Sequence, residues 1–135
     1  MPRPEHQPPL NRERRRVLVV EDDEATRRVL AAVLEDEGYA VLGVANGVEA
    51  LQWIPTWQPH VILLDLVMPA SNGFMFANTY HRLPGPHAPI VVLSAVARDA
   101  GSVAAATGAA EVLPKPLDVE RLLQVVSVLS RPITV

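Results

Sequence analysis

Four apolar runs in the chain each end on a reactive side chain. Val17-Leu18-Val19-Val20 runs into Glu21-Asp22-Asp23, and Val61-Ile62-Leu63-Leu64 runs into Asp65. Ile90-Val91-Val92-Leu93 meets Ser94, and Val112-Leu113-Pro114 meets Lys115. Short, unbroken runs of leucine and β-branched residues predict strands buried on both faces of a parallel sheet. Between the runs the apolar spacing changes to that of helices. Over 24–37 it puts Val29, Leu30, Val33 and Leu34 on one face, and Gly38 suits the exit. A second strand is expected at about 40–45. The helix after it is capped by Asn46, with Glu49 placed to return the bond. It carries Val48, Leu51 and Trp53, and stops at Pro55.

Strand three, 60–65, passes into a loop through Met68 and Pro69, and Gly73 opens a helix to about Leu83, seated by Phe74 and Phe76. Prolines 84, 86 and 89 stiffen the way to strand four, 90–94. A fourth helix at about 98–107 is weak, because Gly101 and Ser102 lie inside it and Ala104-Ala105-Ala106 has little to bury. Strand five spans 110–114, and Asp118 caps a last helix striped by Leu122, Leu123, Val125, Val126 and Leu129. Five βα units in succession predict an α/β fold, a doubly wound (βα)5 three-layer sandwich with parallel sheet order 2-1-3-4-5.

Composition narrows the setting. The 135 residues include no cysteine, which excludes disulfides and thiol chemistry and fits a reducing cytoplasm. Charges or prolines interrupt every apolar stretch well short of a membrane span. Residues 1–16 hold five arginines against Glu5 and Glu13, a net +3, which leaves −6 on residues 17–135. The first segment reads as a disordered basic Pro/Arg-rich tail, 17–131 as the folded domain and 132–135 as a C-terminal tail. An acidic compact domain is a poor nucleic-acid binder, so neither direct nucleic-acid nor membrane contact is expected.

In an open parallel sheet, chemistry collects outside the carboxyl ends of the strands. The pattern therefore brings Glu21, Asp22, Asp65, Ser94 and Lys115 to one edge. Carboxylates from adjacent strand ends suit Mg²⁺. The bland alternative for the acidic run is a solvated helix N-terminus, where Asp23 and Glu24 also favour the dipole. Asp65 follows an unbroken apolar strand and has no helix to cap. Lys115 is the single lysine of a chain that otherwise uses arginine, which suits a compact point charge beside a carboxylate or phosphate. His6, His60, His81 and His87 lack metal-ligand spacing and read as surface or loop residues. Trp53 and Trp57 read as boundary packing.

On Glu21-Asp22-Asp23, Asp65 with Met68-Pro69 and Gly73, Ser94-Ala95, and Lys115-Pro116 after Gly108-Ala109, the chain resembles the receiver domains of bacterial two-component response regulators over about residues 15–131. The resemblance implies a flavodoxin-like fold and phosphorylation of Asp65 by a sensor histidine kinase or phosphotransfer protein. It implies Mg²⁺, with Mn²⁺ able to substitute, on Asp22, Asp65 and the Val67 carbonyl, with Glu21 acting through water. Ser94 would bond a phosphoryl oxygen, Lys115 would pair with Asp65 and then with the phosphoryl group, and the bond before Pro116 would be cis. It further implies a cytoplasmic phosphoprotein, monomeric or weakly dimeric, that signals to a downstream protein and has no independent substrate. The chain length leaves no room for an output domain, so a stand-alone receiver is expected.

Two features depart from the family or bear on its kinetics. The residue three before the lysine is usually aromatic and turns inward on activation; here it is Val112, with one stiff torsion and no hydroxyl. The positions that flank water's approach to the phosphorus are Val67 and Val96, both apolar, which implies a long-lived phosphorylated state. Two other functions compete. One is a constitutive interaction module that keeps the fold and dispenses with phosphate. The other is an aspartate-nucleophile phosphohydrolase, disfavoured because Val67 stands where a second aspartate would serve as acid/base.

Overall fold

A computed structural model describes residues 14–66, 72–95 and 100–131. The strands are β1 (Arg16–Val20), β2 (Ala40–Val44), β3 (Val61–Asp65), β4 (Ile90–Ser94) and β5 (Glu111–Pro114). The helices are α1 (Glu24–Asp36), α2 (Gly47–Trp57), α3 (Asn72–Arg82), α4 (Ala100–Thr107) and α5 (Val119–Leu129). All pairings are parallel, in the order β2-β1-β3-β4-β5. This is the expected doubly wound sandwich. Arg16 is already strand, and the Arg15 guanidinium donates to the Ser127 carbonyl at 3.2 Å.

The unbroken apolar runs serve two cores at once, because successive strand side chains point to opposite faces. Val17, Val19, Val61, Leu63, Val91 and Leu93 pack against α1 and α5 through Leu30, Leu34, Leu122 and Val126. Leu18, Val20, Ile62, Leu64, Ile90 and Val92 pack against α2 and α3 through Ala50, Ile54, Phe76 and Tyr80. Fully burying one such side chain contributes about 1.5–3 kcal/mol, so both faces of the central strands are committed. The register then aligns the strand ends: Val20 lies beside Leu64, Asp65 beside Leu93, and Ser94 beside Pro114.

Caps place the helices at that edge. Asp23, Asn46 and Asp118 accept the backbone N–H of Thr26, Glu49 and Arg121 respectively, and Gly38 leaves α1 at φ +97°. Details of the faces differ from the expectation. Val29 is 62% exposed, so the stripe of α1 is centred on Leu30 and Leu34. Val48 and Trp53 are likewise exposed, and α2 buries Gly47, Ala50 and Ile54 instead. Phe76 is buried while Phe74 is half-exposed. Pro55 does not stop α2, which runs two residues further. In a last turn proline forgoes one bond, and Gln58 closes the helix by donating its N–H to the Ile54 carbonyl at 2.9 Å. Gln58 takes φ +49° to do so.

α4 has the least to bury. Thr107 is its one buried residue; its hydroxyl donates to the Val103 carbonyl (2.7 Å) and accepts the Ala109 N–H (3.2 Å). Glu111 of β5, at the sheet edge, faces Arg121 of α5 at 3.6 Å.

Candidate functional site

The acidic run after β1 divides by task. Asp23 caps α1, taking both the backbone N–H and the hydroxyl of Thr26, which holds its carboxyl below the usual range. Glu24 pairs with Arg28 one turn on, at 2.6 Å. These two account for the helix N-terminus. Glu21 and Asp22 are not used there. Glu21 is 1% exposed; its Oε2 accepts the Asp23 N–H at 3.2 Å, and its Oε1 is buried with no hydrogen-bond partner. Burial first, then the neighbouring Asp65 and Asp22 carboxyls, push the Glu21 carboxyl up to about 8, against the lowering effect of the Asp23 N–H. Asp22 itself is exposed.

Asp65 ends β3 and is 3% exposed. Its Oδ2 accepts from Lys115 Nζ at 2.8 Å, and the lysine side chain is 27% exposed. Lys115 is held in turn by its own N–H, which donates to the Ser94 carbonyl at 2.9 Å, and by a cis peptide to Pro116. Ser94, at the end of the intervening strand β4, is buried. The fold thus brings Glu21, Asp22, Asp65, Ser94 and Lys115 to one edge. Val112 packs partly buried against the core under α2 and α3. Val67, Val96 and Met68 lie outside the described residues, and so do the expected carbonyl ligand and the two water-access positions.

Among the described residues no three carboxylate or histidine side chains stand as an assembled metal site. The donor set nevertheless suits a hard divalent cation. A buried carboxylate oxygen without a partner is costly, and three crowded acidic side chains repel one another. A cation beside them would relieve both.

Some site and surface features were not anticipated from sequence. Arg27 donates from Nη1 to the Glu21 carbonyl at 2.8 Å. The only sequence signal was an arginine one helical turn into α1. His60 Nδ1 accepts the Arg16 N–H at 2.8 Å. His81 and His87 stack with Tyr80 in edge and tilted contacts, and the Tyr80 hydroxyl accepts the Ala88 N–H at 2.6 Å.

Comparison with known proteins is consistent with this geometry. The chain is 40% identical over 111 residues to response regulator MprA of Mycobacterium ulcerans (strain Agy99) and of Mycobacterium avium (strain 104), covering 80% of the chain and 47% of each relative. It therefore spans about half the length of these relatives. A response regulator signal receiver domain from Bermanella marisrubri superposes with a TM-score of 0.78 at 29% identity, covering 86% of this chain and 98% of that one. Response regulator TrrA of Thermotoga maritima, solved in complex with Mg²⁺ and BeF, gives 0.74 at 28% identity, covering 85% and 98%. Residues 17–127 match the response regulator receiver domain family, and with the fold and strand-end residues in agreement the chain belongs to that family.

Proposed function

We propose that Asp65 accepts a phosphoryl group from a phosphohistidine donor, a sensor histidine kinase or phosphotransfer protein, and that the acyl phosphate alters binding to a downstream protein. The observation that carries this is the pairing of a nearly buried Asp65 with Lys115 at 2.8 Å beside the partnerless Glu21 Oε1. An aspartate oxygen attacks phosphorus, the P–N bond of the donor breaks, and the histidine ring leaves after taking a proton. Lys115 fixes the carboxylate before attack and is placed to follow the charge onto the transferred group. Ser94, one strand over, is placed to donate to a phosphoryl oxygen. Glu21, Asp22 and Asp65, with the Val67 carbonyl, would hold Mg²⁺ or Mn²⁺. The bound cation would neutralise charge on the phosphoryl oxygens.

On this reading the protein is a phosphoacceptor without an independent substrate. It works in the cytoplasm where ATP-driven kinases supply the donor, as a monomer or weak dimer, without touching DNA itself. No helix among the described residues is long and apolar enough to cross a membrane. The output face is α4, β5 and α5, since α4 is weakly anchored and phosphorylation exchanges one negative charge for about two. Val112 favours one competing reading, a constitutive interaction module, because the position lacks an aromatic side chain to swing.

Intact mass after incubation with acetyl phosphate and Mg²⁺ separates the two. Phosphorylation predicts one phosphoryl addition, lost without the cation and lost in Asp65→Asn. Labelling that persists in Asp65→Asn refutes the acceptor, and an unlabelled wild type supports the constitutive module.

A further inference from the structure

The loop that carries Glu21 and Asp22 is held at both ends of one residue. The Glu21 N–H donates to the Val44 carbonyl of β2 at 3.0 Å, and the Glu21 carbonyl accepts from Arg27 Nη1 at 2.8 Å. Arg27 reaches that carbonyl by laying its side chain along β2. A Cβ added at Gly43 would sit 2.9 Å from Arg27 Cγ and 3.0 Å from Cδ, so the absent side chain of Gly43 is the space the arginine stem occupies. Gly43 is next to Val44, the residue that anchors the Glu21 amide. One glycine and one arginine thus set the peptide plane from which the Glu21 and Asp22 carboxylates project.

We infer that Arg27, seated on Gly43, is a positioning residue for the cation-binding acidic loop. This rests on the proposed phosphoacceptor reading and adds a determinant of its cation affinity. Arg27 touches no reacting atom. It acts by restricting the Glu21–Asp22 peptide, so that carboxylates which repel one another are kept at the sheet edge beside Asp65. A guanidinium suits this because it hydrogen-bonds a carbonyl directionally while its aliphatic stem covers apolar backbone. Partners that orient metal ligands without touching the metal commonly contribute about 10–100-fold in affinity.

A double-mutant cycle tests the arrangement, with Mg²⁺ alone as the probe in calorimetric titration. Arg27→Ala should weaken Mg²⁺ binding by about tenfold. Gly43→Ala should weaken it in the same direction by displacing the arginine stem. In the Arg27→Ala background, Gly43→Ala should have no further effect, because the arginine stem that its methyl displaces is gone. Amide exchange at Asp22 and Asp23 in the cation-free protein should quicken in both single variants. Additive effects of the two substitutions overturn the inference. So does unchanged Mg²⁺ affinity in Arg27→Ala, whether or not melting temperature falls. Phosphorylation of wild type with acetyl phosphate is run alongside. A labelled wild type with unaltered Mg²⁺ affinity in Arg27→Ala rejects Arg27 alone, whereas an unlabelled wild type rejects the phosphoacceptor reading on which this role rests.

Discussion

Replacing Glu21 by glutamine should stabilise the cation-free protein and flatten its dependence on pH. Glu21 is 1% exposed with one oxygen lacking a partner, and its carboxyl is pushed from the ordinary 4.5 up to about 8. The folded state therefore holds this proton more tightly than the unfolded chain. Between pH 4.5 and about 8 the native state binds more protons, so stability is fully present below 4.5 and declines as pH rises through that window. The slope for one proton is about 1.4 kcal/mol per pH unit. From pH 5.5 to 7.5 it has an upper bound of about 3 kcal/mol, and sharing of the charge with Asp65 and Asp22 brings this to about 1–2 kcal/mol. Glutamine keeps the shape and carries no titrating proton. Urea unfolding of both proteins with a chelator, at pH 5.5, 6.5 and 7.5, gives the difference at each pH and cancels the titration of groups that do not interact with Glu21. Glu21→Gln should gain on wild type by about 1–2 kcal/mol across that range. If the difference stays constant or moves the other way with pH, burial of a high-affinity proton at Glu21 is refuted. Adding Mg²⁺ should then raise wild type more than Glu21→Gln, because a ligand bound only by the native state stabilises it.

Lys115→Ala leaves a nearly buried Asp65 without its ammonium and should cost about 1–3 kcal/mol in the cation-free protein near pH 7.5, below the full value of a buried pair because the lysine is part-exposed; urea unfolding measures it. Gln58→Gly should stabilise by about 0.5–1 kcal/mol, since glycine removes the strain of φ +49° at a modest entropic cost, and thermal melting reads the gain. Val67→Asn with Val96→Glu should speed loss of phosphate about tenfold by supplying polar groups to orient water, equivalent to about 1.4 kcal/mol off the barrier. Equal decay rates with no phosphatase present would exclude water positioning.

The strands, and the strand-end placement of the candidate site residues, were legible because each follows from a local run. A run such as Val61-Ile62-Leu63-Leu64 fits only a doubly covered strand, and the residue that ends it must stand at the sheet edge beside its neighbours' ends. Helix faces were less legible. Spacing put Val29 and Leu30 on one stripe, but adjacent helical residues differ by 100° and only the packing of α1 on the sheet decides which is covered. Pro55 misled because the rule against proline weakens in a last turn, where a single bond is forgone. Arg27 was invisible for a different reason. Its role depends on Gly43, sixteen residues away on another element, and no pattern within α1 carries that contact.

The Thr107 hydroxyl also sets how α4 can travel. It ties the C-terminal end of the helix to the turn at Ala109, and Val103, one turn earlier, packs part-buried against the core, while Gly101 and Ser102 in the first turn are exposed. A rod pinned at one end swings and does not slide. Eight residues span about 12 Å, so a tilt of about 10° at Thr107 carries Ala100 roughly 2 Å while the pivot stays in place. The arc is widest at the end of α4 nearest in sequence to Ser94, so under the proposed function a small change at that strand end would be geared up into a displacement at a partner surface.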